Sequence, residues 1–147
     1  MKIAIASDHA GFDLKIVLKE NLKSEGYQII DLGIDIKKSV DYPEYGLAGA
    51  EAVAKKEADL AVLVCGTGLG MAIMANKVRG IRAVTCNDLF SAQMARSHNN
   101  ANVLCLGGRI LGPDLAWAIV KTFLETPFAG GRHLRRVNEI KRLEKAC

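Results

Sequence analysis

Short apolar runs alternate along the chain with longer stretches whose apolar residues recur at helical spacing. KIAIAS (2–7) is rich in isoleucine and predicts a strand. FDLKIVLKENLKSEG follows, with apolar Phe12, Ile16, Leu18 and Leu22 and Gly26 as a stop, which predicts a helix. YQIIDLG (27–33) predicts a second strand and the polar IDIKKSVDYP a loop. Pro43 suits the first turn of a helix through EYGLAGAEAVAKKE. LAVLVC (60–65), RAVTC (82–86) and NVLCLGG (102–108) predict strands three to five. GMAIMANKV, DLFSAQMARSHN and PDLAWAIVKTFLE predict helices, the last with Pro113 near its start. GGRHLRRVNEIKRLEKA predicts a basic terminal helix.

Five β-α units with short apolar strands imply an α/β fold of three layers, a five-stranded parallel sheet covered on both faces. The expected architecture is Rossmann-like, a single domain over residues 1–147 with no repeat and no low-complexity segment. In such sheets ligands bind beyond the carboxyl ends of the strands. That rule gathers Asp8, His9, Tyr42, Cys65 to Gly70, Gly107, Gly108 and Arg109 on one rim. His98 ends the helix before strand five, and the pattern leaves its rim open.

Composition adds little and excludes a good deal. Half the residues are hydrophobic, enough for a sizeable core, and the formal charge of +4 does not demand nucleic acid. No stretch approaches the roughly 20 apolar residues of a membrane span, and MKIAIASDH is a poor signal peptide. A cytoplasmic protein that binds neither membrane nor nucleic acid is expected. Cys65, Cys86, Cys105 and Cys147 form no C-x-x-C pair, so zinc and dithiol chemistry are not expected, and no metal constellation is evident. Cys86 and Cys105 read as small buried hydrophobes and Cys147 as a loose terminal residue.

CGTGLG (65–70) ends strand three with a thiol and three alternating glycines. Glycines let the backbone approach a ligand, and the following helix start supplies unpaired N–H groups, so the loop reads as an anion site. The spacing G-x-G-x-G differs from the dinucleotide fingerprint, although Asp88 lies about 20 residues on. A Walker loop needs Gly-Lys-Ser/Thr where the chain has Gly70-Met71-Ala72, and a cysteine phosphatase needs arginine where it has Met71. Cys65 abuts these amides, an environment that lowers a thiol from about 8.5. Packing of the thiol at a strand end remains the alternative.

His9 stands in SDHAG beside Asp8, for which a helix cap is the plain alternative. His98 is either a favourable charge at a helix end or a general acid or base. In GGRHLRRV, Arg132 and Arg136 are four apart and share a helix face, and Leu134 and Val137 are placed to share an apolar edge. Two arginines on one face suit a phosphate monoester, and a solvated basic helix is the alternative. Aromatic residues do not interleave with the basic run, as a nucleic-acid surface would need.

SDHAG, VDYP, CGTGLG, ANKVRGIRA, HNNANVL and GGRHLRRV, in that order, resemble the type B ribose-5-phosphate isomerases across nearly the whole chain. Galactose-6-phosphate and allose-6-phosphate isomerases belong to the same superfamily. The resemblance implies a cofactor-free aldose–ketose isomerase of D-ribose 5-phosphate and D-ribulose 5-phosphate, or alternatively of a hexose 6-phosphate. It implies Cys65 as the base between C1 and C2, His98 as the residue assisting ring opening, and Thr67 at ring opening or the hydroxyls. The amides of Gly66, Gly68 and Gly70, with Leu69 in the same loop, match the enediolate hole. Asp8, Tyr42 and Asn99 match sugar contacts, and His9, Arg109, Arg132 and Arg136 the phosphate set. His133 matches an Arg-His pair without a definite role. The family is dimeric, and a homodimer or tetramer is implied, with the C-terminal arginines reaching into the partner's site.

The chemistry agrees with the resemblance. Isomerisation through a cis-enediolate needs ring opening, a base, donors for the developing oxyanion and an anchor for the phosphate. Each requirement has a named candidate. A nucleotide-binding module built on GTGLG and a basic interaction protein led by the terminal helix stay as competing classes.

Overall fold

A computed structural model describes residues 1–146; Cys147 lies outside them. The elements run β1 (Lys2–Ser7), α1 (Phe12–Ser24), β2 (Gln28–Asp31), α2 (Tyr42–Ala54), β3 (Leu60–Cys65), α3 (Leu69–Ala75), β4 (Ala83–Thr85), α4 (Leu89–Ser97), β5 (Val103–Gly107), α5 (Pro113–Glu125) and α6 (Gly131–Glu144). All strand pairs are parallel and the sheet order is β2-β1-β3-β5-β4. The Rossmann-like α/β expectation is met.

Side chains alternate across the central strands and build two cores. Ile3, Ile5, Val62, Val64, Leu104 and Leu106 face α1, α4 and α5. Ala4, Ala6, Ala61, Leu63 and Cys105 face α2 and α3. Small residues on the second face let the helices lie close: a Cβ on Gly49 of α2 would fall 2.4 Å from a Leu63 methyl.

Several elements depart from the periodicity. In α1 the buried stripe is Leu14, Leu18 and Leu22, and Ile16 is exposed. Helix α3 stops at Ala75 because Asn76 turns its amide group onto the next strand. Its Nδ2 donates to Ala72 O and to Ala83 O, and its Oδ1 accepts from Ala83 N. The same clamp fixes the start of the three-residue β4.

Lys15 is only 1 % exposed, a position polarity alone would not suggest. Its ammonium donates to Asp31 Oδ1 at 3.0 Å and to Ile34 O at 2.8 Å, and Lys19 donates to Asp31 Oδ2 at 2.6 Å. Burial alone would raise the Asp31 carboxyl; the two ammonium groups and the Gly33 N–H outweigh it and hold the group below its ordinary value.

Candidate active site

Strand β3 is central and wholly buried, and it delivers Cys65 to the carboxyl rim. Its pairing with β5 continues beyond both strands: Gly108 N donates to Cys65 O at 2.8 Å and Arg109 N to Gly66 O at 3.1 Å. The two loops are thereby pinned side by side. Gly107 lies against the Thr67 backbone, where an added Cβ would come within 3.0 Å.

The glycines of CGTGLG do different work. Gly68 has φ +79, the left-handed region that disfavours a side chain. This turn points its N–H at Cys65 Sγ, 3.1 Å away, and its carbonyl at Thr85 Oγ1, which donates at 3.2 Å. Gly70 packs against the Tyr42 ring, and a Cβ there would fall 2.7 Å from two ring carbons. The Leu69 N–H donates to Thr67 Oγ1. The first bond of α3 is Ala72 N–H to Gly68 O, so the Gly70 and Met71 amides precede the helix ladder.

A pocket of about 250 Å³ opens over the thiol, lined by Asp8, His9, Ala10, Tyr42, Cys65, Gly66, Thr67, Gly70 and Arg109. Asp8 Oδ1 accepts from the Ala10 and Gly11 N–H groups at 2.9 and 3.0 Å, so the carboxylate ties the β1–α1 turn while lining the pocket. His9 Nδ1 lies 3.2 Å from both the N and the O of Val40, which joins the ring to the loop before α2. Gly68 and the exposed Leu69 do not line this pocket.

His98, Asn99, Arg132 and Arg136 are not there. A crossover helix in a parallel sheet runs back against the strands, so the end of α4 lies at the amino end of β5. Asn102, four residues past His98, donates its N–H to Arg82 O before β4, and its carbonyl accepts from Ala61 N. His98 therefore belongs to the rim opposite Cys65. Asn99 lines a different pocket, about 520 Å³, beside Arg82 and Val84. Helix α6 begins near the same rim: Ala129 N donates to Ser97 O at 3.0 Å, and the His98 and His133 rings stack at 4.0 Å between centroids and 9° between planes. The expected apolar edge of Leu134 with Val137 is corrected too. His133 and Val137, four apart, are the buried pair, and Leu134 is exposed.

One family model matches residues 3–140, that of the ribose/galactose isomerases. The chain belongs to the ribose/galactose isomerase family. It is 45% identical to the ribose-5-phosphate isomerase B of Escherichia coli over 98% of this chain and 97% of that protein. It is 47% identical to D-erythrulose-4-phosphate isomerase 2 of Mycolicibacterium smegmatis over 87% of this chain and 86% of that one. A solved structure of the Mycoplasma genitalium ribose-5-phosphate isomerase B with bound ribulose-5-phosphate superposes with a TM-score of 0.96. That match has 42% identity and covers 99% of this chain and 97% of the other.

In this isomerase Cys86 and Cys105 behave as packing residues. Cys86 and Cys105 are 2 % and 0 % exposed. Burial, with Asp88 nearby, pushes the Cys86 thiol up to about 11, and burial pushes Cys105 higher still. Among the described residues no helix is long and apolar enough to cross a membrane, and no cluster of three or more His, Cys, Asp or Glu could hold a metal ion. Sequence reasoning missed Ala10 in the pocket wall, the Val40 contact to His9 and the His98–His133 stack. The two contacts pair residues remote along the chain and carry no local signal, whereas Ala10 directly follows His9 and falls under the strand-end rule.

Proposed function

We propose that this isomerase interconverts D-ribose 5-phosphate and D-ribulose 5-phosphate through a cis-enediolate, with Cys65 as the base. The observation that carries the reading is Cys65 in the wall of a pocket that Asp8, His9, Thr67 and Arg109 also line, with the Gly68 N–H directed at its Sγ from 3.1 Å. The thiolate takes the proton from C2 of the open-chain aldose and the C1 carbonyl electrons move onto O1; the O2 proton passes to O1, the C2–O2 double bond forms, and the thiol returns a proton to C1. The oxyanion needs preorganised donors, one of which is worth about 2.7–4 kcal/mol. The Gly70 and Met71 N–H groups are the donors the loop offers. Asp8, Tyr42 and Thr67 face the hydroxyls, and His9 and Arg109 meet the phosphate.

Ring opening requires a proton on the ring oxygen and loss of the anomeric hydroxyl proton. His98 is assigned to that step, with Asn99 at the hydroxyls and Arg132 and Arg136 on the phosphate. Because these four residues sit on the rim opposite Cys65, the reading requires a second copy of the chain to supply them. A two-fold dimer does this twice, once at each thiol. Exposed apolar side chains on α3 and α4 support such an assembly: Leu69, Ile73, Leu89 and Phe90 are 58, 63, 44 and 71 % exposed.

The test is proton NMR of ribose 5-phosphate in deuterated water with a chelator present. Ribulose 5-phosphate should accumulate, with deuterium entering at the carbon that receives the proton. Accumulation without deuterium at that carbon would overturn proton transfer by an exchanging base. A relative named for D-erythrulose 4-phosphate is 47% identical over 87% of this chain, so that tetrulose phosphate belongs in the same assay, with galactose and allose 6-phosphates. Turnover of one of these in place of the pentose would move the substrate and leave the mechanism.

A further inference from the structure

Among the remaining side chains, His133 has a geometry the reading above does not use. It is 9 % exposed, and its ring lies flat on that of His98 at 4.0 Å between centroids and 9° between planes. The helix that carries it is hooked to the end of α4 by the Ala129 N–H to Ser97 O bond. Between hook and helix the chain turns through Gly130 and Gly131, both at positive φ, 65° and 53°. His133 N then donates to Gly130 O at 3.0 Å and starts α6. Arg132 lies one residue before His133 in this first turn, and Arg136 one turn on. One backbone bond and one ring stack therefore fix α6 on α4.

We propose that His133 is a positioning residue: its ring, stacked on His98, holds that imidazole at a set offset from Arg132 and Arg136, so that the ring-opening group and the phosphate clamp reach the substrate as one rigid piece. This rests on the assignment of His98 to ring opening. The electrostatics of the stack agree. Burial first, then the neighbouring His98, Arg132 and Arg136, hold the His133 imidazole below its ordinary value. The stacked ring opposes rotation of the His98 imidazole about its Cβ–Cγ bond, which would break the 9° parallel stack, and so aims its nitrogens.

The test separates ring chemistry from proton abstraction. Ribulose 5-phosphate is open-chain, so Cys65 can exchange its C1 proton with deuterated water without ring opening or closing. Two rates are compared in each variant: that exchange, and net turnover of ribose 5-phosphate. In His133→Ala and His133→Asn, turnover should fall about tenfold to hundredfold, the scale of a catalytic group misplaced by about 1 Å, with exchange held within about threefold. His133→Phe, which restores a flat ring, should recover most of the turnover. Retained exchange also reports that the thiol pocket is folded. Parallel loss of exchange and turnover in both the Ala and Asn variants, or no loss in either, would overturn the proposal. His98→Asn is the companion measurement. If it shows no split between exchange and turnover, the assignment of ring opening to His98 fails; if it splits and the His133 variants do not, only the positioning role fails.

Discussion

If the active site is divided between two copies, two dead variants should repair each other. Cys65→Ala removes the base, and His98→Asn removes the ring-opening group on the opposite rim. In a mixed dimer one site joins the altered Cys65 position to the altered His98 position and is dead. The other joins an intact Cys65 from one chain to an intact His98 from its neighbour. Free exchange of equal amounts gives dimers in about a 1:2:1 ratio, and one site in two of each mixed dimer is whole, so about a quarter of wild-type turnover should return. The assay is steady-state isomerisation of ribose 5-phosphate after coexpression or joint refolding, with each variant alone as baseline. A site built within one chain predicts no gain, since both sites of a mixed dimer would then carry one lesion. Activity no greater than the sum of the parents, from dimers shown by mass to be mixed, would falsify the two-rim reading.

Lys15→Met and Asp31→Leu should differ although they break the same pair. The first leaves Asp31 with Lys19 and the Gly33 N–H, the second leaves a buried ammonium with one carbonyl, so urea unfolding should show about 1–2 against about 3–5 kcal/mol. Equal costs would remove the claim that Lys15 is the costlier partner to strand. Asp31 titrates below its unfolded value, so its contribution is present above the ordinary carboxylate range and is lost as pH falls through the folded value. Stability should decline on acidification below about pH 4, less steeply in Asp31→Leu, as measured by thermal melts across pH. Gly70→Ala should displace the Tyr42 ring; the ring is 39 % exposed and can swing outward, so stability should fall only about 1 kcal/mol while the Michaelis constant rises. A large stability loss with an unchanged constant would mean that Tyr42 does not face substrate. Cys65→Ala should keep the melting profile and lose deuterium exchange, whereas Cys86→Ala should keep exchange.

The sheet and its helices were legible because their signals are local. LAVLVC can only be a buried strand between a turn and a glycine loop, and the order of the β-α units sets which strand ends share a rim. Asp8, His9, Tyr42, Cys65 and Arg109 follow from that rule and line one pocket. His98 and Asn99 do not follow from it, because the end of a crossover helix lies at the far side of the sheet. The resemblance, not the strand-end rule, put them in the site with Cys65, and within one chain the fold sets them on the opposite rim. The limits of α3 and β4 escaped because the Asn76 clamp joins residues seven apart through a side chain. Lys15 escaped because its partners come from a strand and a loop 16 and 19 residues away.

The contact between His9 and Val40 bears on the proposal that this ring meets the phosphate. Val40 offers a donor and an acceptor at the same distance from one nitrogen. With Nδ1 bare, the ring accepts from the Val40 N–H; with Nδ1 protonated, it donates to the Val40 carbonyl. The loop therefore holds the imidazole in either neutral tautomer. The tautomer can change without the ring turning. Orientation and tautomer, coupled for most histidines, are independent variables at this one.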